Sequence, residues 1–315
     1  MNPKSKALLL LHFSTVVWGF TAILGKFICY GTFPLVYHRM LIAGLAYMLI
    51  PAFWKGLKQL SRLDILNIAF IGLIVCGHWL SFYGSIKIGN NVSVTLAALG
   101  TASLFSAFID PWINKRRIDS FELLLGLLII VGVLFVCYAI MLGNEQKVSD
   151  KIPMLAVWVG IISAALAALF TALNKKRVAT TSALTLSGIE MISGAAGVAI
   201  FLAFYSSNGL ASLDLHEWSN TEDLIALLLL AIVCTNLTFW LGTLALKHIS
   251  AFTANLTVNL EPIYGMVFGA AIFKEYEALN GYFYVGAGII LASIFANPLV
   301  NLWRARHKRN HQKPA

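Results

Sequence analysis

Residues 251–275 read AFTANLTVNLEPIYGMVFGAAIFKE. The stretch is long and apolar enough for a membrane helix, yet Glu261 stands close to its middle with Pro262 beside it. A carboxylate at bilayer depth costs about 2.5–3.5 kcal/mol on insertion scales, so Glu261 is expected to face protein or a wet cavity. Asn255 and Asn259, one turn apart, put polar groups on a neighbouring face. Gly265 and Gly269 form a small-xxx-small ridge that lets another helix come close. The pattern points to a functional interior.

The whole chain fits a membrane setting. Of its 315 residues 59% are apolar and only 12% charged, about half the charge of an average soluble domain, and the mean hydropathy is +0.79. The apolar residues gather into runs of about 20, enough to cross a hydrocarbon core roughly 30 Å thick. Ten runs are expected as spans: 7–28, 34–54, 65–87, 92–113, 121–142, 154–174, 183–206, 224–247, 251–273 and 281–303. Short connections make consecutive helices antiparallel neighbours. The first run follows Lys4 and Lys6 as a signal peptide would, but it is too long for an h-region and ends without a small-residue cleavage site. It is expected to stay as the first helix.

Charge sets the expected orientation. With the N-terminus inside, most of the 23 Lys and Arg fall on the cytoplasmic side, and only Lys87, Lys147, Lys151 and Lys274 outside. Asp214, Glu217, Glu222 and Asp223, in a loop without Lys or Arg, belong outside. Both termini are expected in the cytoplasm of a bacterial cell, beneath the inner membrane. The net charge of +9 is explained by helix ends and the basic tail at 304–315, which suits anionic lipid rather than nucleic acid. Cys29, Cys76, Cys137 and Cys234 show no CxxC pair and no His at ligand spacing, so neither a disulfide framework nor a metal site is expected. No cofactor is expected either.

The chain repeats itself. Shifted by 160, KIGNNVSVTL at 87–96 falls on KHISAFTANL at 247–256, and Gly126 falls on Gly286; shifted by 150, FTAI at 20–23 falls on FTAL at 170–173. Two five-helix units follow, 1–142 and 152–303, joined by an outer linker at 143–151. Five is odd, so the second copy enters the membrane from the opposite side. The expected fold class is an all-α integral membrane protein of ten transmembrane helices in two inverted repeats, the architecture of secondary transporters, which bind substrate near the midplane between repeats.

Trp18-Gly19, Pro34 with Arg39, LEPI at 260–263 and FKE at 273–275 carry a resemblance to the EamA family of the drug/metabolite transporter superfamily. The resemblance implies export of small metabolites such as amino acids, with uptake of sugars or cofactors in some members. It also implies a central site between helices 1, 3 and 4 and helices 6, 8 and 9. The first repeat departs from the pattern, with Thr101-Ala102 where the second has Glu261-Pro262, and NKRR at 114–117 instead of an acidic helix end. Any carboxylate function therefore belongs to the second half.

Several residues are candidates for substrate binding or coupling. Glu261 could take up a proton or hold a substrate ammonium, or it could bond backbone groups released by Pro262. His78, Trp79 and Tyr83 in the third run, and Asn236 and Trp240 in the eighth, could form an aromatic and polar pocket or serve packing. Ser14 and Trp18 share one face of the first run, although membrane Ser commonly bonds its own backbone. Arg39 could meet a substrate carboxylate, snorkel outward or enter a gating ion pair; shifting by 151 makes Glu190 its counterpart. Asp110 is expected to pair locally with Lys115 or Arg116. Catalytic residues are not expected, because no nucleophile with a base and no paired carboxylates can be read. Partners are a small-molecule substrate, membrane lipids and protons for a coupled carrier; monomer and homodimer stay open. An intramembrane enzyme and a channel are the rival readings.

Overall fold

The computed structural model describes residues 2–90, 92–144, 154–213, 220–261, 263–265, 267–268 and 281–310. Among them there is helix and no strand. The first half contains α1 (Pro3–Trp18), α2 (Thr21–Phe27), α3 (Thr32–Met48), α4 (Pro51–Leu57), α5 (Arg62–Gly89), α6 (Val92–Gly100), α7 (Ala102–Ile113) and α8 (Ser120–Asn144). In the second half are α9 (Met154–Arg177), α10 (Ala183–Tyr205), a 3-10 turn (Gly209–Leu213), α11 (Thr221–Leu228), a π-helix (Leu229–Leu237), α12 (Thr238–Ala245), α13 (Ala251–Val258) and α14 (Gly281–Asn310).

Several expected spans are broken. The first divides at Gly19–Phe20 between α1 and α2. The second does not continue to residue 54: α3 stops at Met48 and α4 leaves at 89°, where Pro51 cannot donate into a continuing helix. The fourth breaks at Thr101, and the ninth at Asn259–Leu260 just before Glu261. Under the shift of 160 these last two breaks fall within two residues of each other. Taken by length and hydropathy, five helices can cross a membrane, and a sixth if α3 and α4 count as one bent span. Shorter apolar helices, Ser120–Phe135 and Tyr284–Asn297, lie in the fifth and tenth runs, and the ten expected spans are thus seen in part among the described residues. The linker at 143–151 from residue 145 onward, Asp214, Glu217, Pro262, Gly269 and FKE at 273–275 lie outside the described residues.

Packing between the halves is reciprocal. α5 packs on α9 and α1 on α12, so the third run meets the sixth and the first meets the eighth. The second run packs on the seventh through α3 and α10, and the fifth on the tenth through α8 and α14. Exchanging the halves returns the same pairings, as a twofold relation requires. Small residues make the closest contacts possible. α9 buries Ala156, Gly160, Ala164, Ala167 and Ala168, and a Cβ at Gly160 would stand 2.7 Å from that of Ala98. A Cβ at Gly265 would reach 3.2 Å from the Gly19 carbonyl oxygen, so the ridge expected in the ninth run approaches the break in the first. The outer faces are apolar, with Leu66 and Phe70 on α5, Leu127 and Leu134 on α8, and Ile200 and Phe204 on α10 all exposed. Large apolar side chains in such bands belong against lipid.

Candidate functional site

A cavity of about 110 Å3 lies where the helix breaks converge. On the scale where one water needs about 10–15 Å3, that holds roughly ten waters, or a small metabolite. Its walls come from the first, third and fourth runs (Leu11, Trp18, Thr21, His78, Trp79, Phe82, Leu99, Ala102) and the sixth, eighth and ninth (Phe170, Thr171, Asn174, Phe239, Thr243, Asn255, Asn259, Glu261 among others). Arg39 alone enters from the second run. Among the described residues, the fifth, seventh and tenth runs contribute nothing to the lining.

Two opposite charges are buried in this wall, Arg39 at 3% exposure and Glu261 at 5%. Arg39 Nε donates to Thr235 Oγ1 at 2.6 Å and Nη1 to the Tyr83 hydroxyl at 2.5 Å, with the guanidinium 3.9 Å from the Trp79 ring centroid. Hydroxyls and a ring face thus hold it in one orientation while its remaining donors stay available to the cavity. The Thr235 position depends on the π-helix: its hydroxyl reaches back five residues to the Leu230 carbonyl oxygen at 2.7 Å. Such widened turns recur at functional sites because they re-aim side chains. No carboxylate stands within 4.0 Å of Arg39 among the described residues. Glu261 lines the same cavity beside Thr21.

Neutral polar groups line the cavity as well. Asn259 is buried and its Nδ2 has no hydrogen-bond partner. Asn255 is held by Ser106, whose Oγ accepts from Nδ2 at 3.2 Å, and by Thr171, whose hydroxyl donates to Oδ1 at 3.4 Å. His78 Nδ1 donates to the Ser163 carbonyl oxygen at 2.9 Å and Ser163 Oγ donates back to the His78 carbonyl oxygen at 3.1 Å. That histidine ties α5 to α9 and supplies an aromatic wall. Trp79 and Phe239, equivalent under the shift of 160, meet edge to face with centroids 6.1 Å apart.

The expected residues divide accordingly. Glu261, Asn255, Asn259, His78, Trp79, Trp18 and Arg39 line the cavity, and Tyr83 stands behind Arg39. Ser14 does not: its hydroxyl donates to the Leu10 carbonyl oxygen at 3.0 Å and the Thr238 carbonyl oxygen at 3.3 Å, joining α1 to α12. Asn236 turns to α3, donating to the Ala43 carbonyl oxygen at 2.9 Å, and Trp240 packs against the apolar core. Arg39 and Glu190 form no ion pair; Glu190 is fully buried on α10 and meets Asn174 at 3.4 Å. The two occupy faces of different helices, so the repeat shift relates them without bringing them together. Thr21, Phe170, Thr171, Asn174 and Thr243 are lining residues that the sequence reading did not single out. Their helices were expected at the cavity, but lone Thr and Phe residues carry no distinguishing signal.

Polar ties lie beyond the cavity at each end. Asp110 Oδ2 accepts from the Phe252 backbone N–H at 3.3 Å and forms an ion pair with Arg116 at 3.0 Å; Arg116 also pairs with Glu122 at 2.5 Å. The local pair expected for Asp110 is therefore with Arg116, and it joins α7 to the start of α13. Elsewhere Lys87 Nζ donates to the Ile28 carbonyl oxygen at 2.7 Å, and the Cys29 N–H to Asp223 at 3.4 Å.

A model of the EamA-like transporter family matches the chain twice, over residues 5–138 and 154–297. A solved crystal structure superposes with a TM-score of 0.67 at 12% identity, covering 93% of this chain and 98% of that one, which is a likeness of fold. A search of curated proteins finds no match.

Proposed function

The chain belongs to the EamA-like transporter family, and from that premise we propose that it carries a small amino acid or a similar zwitterionic metabolite across the membrane by alternating access. The observation that carries this reading is a small cavity holding a buried guanidinium and a buried carboxylate that do not pair with each other. Intramembrane charges normally pair. A substrate with a carboxylate for Arg39 and an ammonium for Glu261 would complete both, with Asn259 Nδ2 as a further donor. Trp18, Trp79, Phe82 and Phe170 would enclose the remaining apolar part. The cavity volume favours a small substrate over a nucleotide-sized one.

Ten spans in two inverted repeats give the mechanism. The tie through Asp110, Arg116 and Phe252 would close the cytoplasmic end, and the ties through Lys87 and Asp223 the outer end. Opening one set at a time exposes the same cavity to each side. The lysines and arginines at the helix ends support cytoplasmic termini, and export from a bacterial cell is the expected direction. Sugar or cofactor uptake is less well served by the two charges.

Counterflow in proteoliposomes tests the proposal with labelled amino acids, sugars and cofactors. Saturable exchange of a small amino acid is expected, with Glu261→Gln impairing it. Exchange confined to sugars or cofactors would overturn the substrate class.

A further inference from the structure

Glu190 is buried at 0% exposure and Asn174 at 1%, deep in the membrane-spanning part of the protein. Asn174 Nδ2 donates to Glu190 Oε2 at 3.4 Å. The other oxygen of each group, Glu190 Oε1 and Asn174 Oδ1, is buried with no hydrogen-bond partner. Both are acceptors, so neither can satisfy the other while the carboxyl is ionised. A single proton on Oε1 would supply the kind of donor that Oδ1 lacks.

The surroundings offer no other compensation. α9 contributes Asn174 itself. From α3 the titratable neighbour is Tyr47, whose hydroxyl donates to the Asn236 carbonyl oxygen at 2.5 Å. α5 presents Gly72, where a Cβ would stand 2.5 Å from the Glu190 carbonyl oxygen. α12 presents Thr243, bonded by Ser187 Oγ at 3.5 Å, and α4 reaches α10 through Phe53 at Gly188. No Lys, Arg or His lies within 4.0 Å of the carboxyl among the described residues. Glu261 differs, since it shares its cavity with Arg39.

We propose that Glu190 and Asn174 form a proton-binding pair in the wall of the cavity, separate from Glu261, in which one proton on Glu190 is held against the Asn174 amide. Asn174 lines the cavity while Glu190 does not. Loss of the proton would release the amide oxygen toward the substrate, so proton and substrate meet at one side chain. That coupling role rests on the transporter reading; the bound proton does not.

Infrared difference spectroscopy of the full chain in lipid, across a pH titration in choline buffer, reads the proton directly. Wild type is expected to show a protonated-carboxyl stretch that persists at neutral pH. It should vanish in Glu190→Gln, remain in Glu261→Gln, and move in frequency in Asn174→Leu, each variant having the elution profile of folded protein. An unchanged spectrum in Glu190→Gln would overturn the proposal. So would disappearance of the band when sodium replaces choline at constant pH, which would assign the pair to a monovalent cation. Absence of counterflow from a wild type that shows the band would instead contradict the transporter reading and leave the proton site intact.

Discussion

Replacing Arg39 by Lys keeps the buried charge and removes the planar fork. In wild type, Nε and Nη1 are bonded to Thr235 and Tyr83 at 2.6 and 2.5 Å, and the guanidinium lies on Trp79. The donors left over are directed by those contacts, which is how Arg meets a carboxylate with two bonds at once. A lysine ammonium cannot bond both hydroxyls, stack on the indole and serve the substrate together. Losing one charge-assisted hydrogen bond costs about 1.5–3 kcal/mol, so substrate affinity should fall roughly 10- to 150-fold, at about 1.4 kcal/mol per tenfold. The assay is half-saturation of counterflow in proteoliposomes for an amino acid and for the amine that lacks its carboxylate. Only the amino acid should respond to Arg39→Lys. Equal losses for both, or no loss for either, would refute the assignment of Arg39 to the carboxylate.

Other substitutions test other parts of the structure. Thr235→Val removes the acceptor of Arg39 Nε and the hydroxyl's bond to Leu230; transport should weaken while thermal stability in detergent falls by about 1 kcal/mol. Asp110→Ala strands the Phe252 N–H and leaves the Asn114 amide only its bond to the Ala172 carbonyl oxygen, costing about 1–3 kcal/mol; melting should be lower, and accessibility of the cavity from the Asp110 end, read by labelling, should rise. Gly72→Val would drive a side chain into the Glu190 backbone, and overpacking of about 1–3 kcal/mol or more should show as poor yield of folded protein. Glu261→Gln should reduce exchange of an amino acid more than that of its deaminated analogue, as measured by competition.

Much of this architecture was legible because membrane helices advertise themselves. Runs of about 20 apolar residues fix the elements, and the shift of 160 relates two helix breaks that the structure places at Thr101 and just before Glu261. Hydropathy continues past Pro51, so one span was expected over 34–54 although α3 and α4 meet at 89°. Polar residues at mid-depth were informative where burial alone explains them poorly, as with Arg39 and Glu261. Asn236 faces away from the cavity for a different reason. Mid-helix polarity marked it, but the π-helix from Leu229 to Leu237 changes the rotation per residue, turning Asn236 toward α3 and bringing Thr235 to Arg39. Glu190 was noticed through its alignment with Arg39, whereas its partner Asn174 carries no periodic signal. The meeting of α9 and α10 at that point comes from tertiary packing.

Substrate binding is assigned to the cavity between the halves. Its most direct test places single cysteines at Thr171 and Ser14, in protein whose native cysteines have been replaced, and follows maleimide labelling with increasing amino acid. Substrate should slow labelling at Thr171→Cys saturably, with half-protection at the concentration that half-saturates counterflow, and should leave Ser14→Cys unaffected because that position lies in the α1–α12 contact. Labelling at Thr171→Cys that is unchanged by saturating substrate, in protein that still catalyses counterflow, would contradict the assignment.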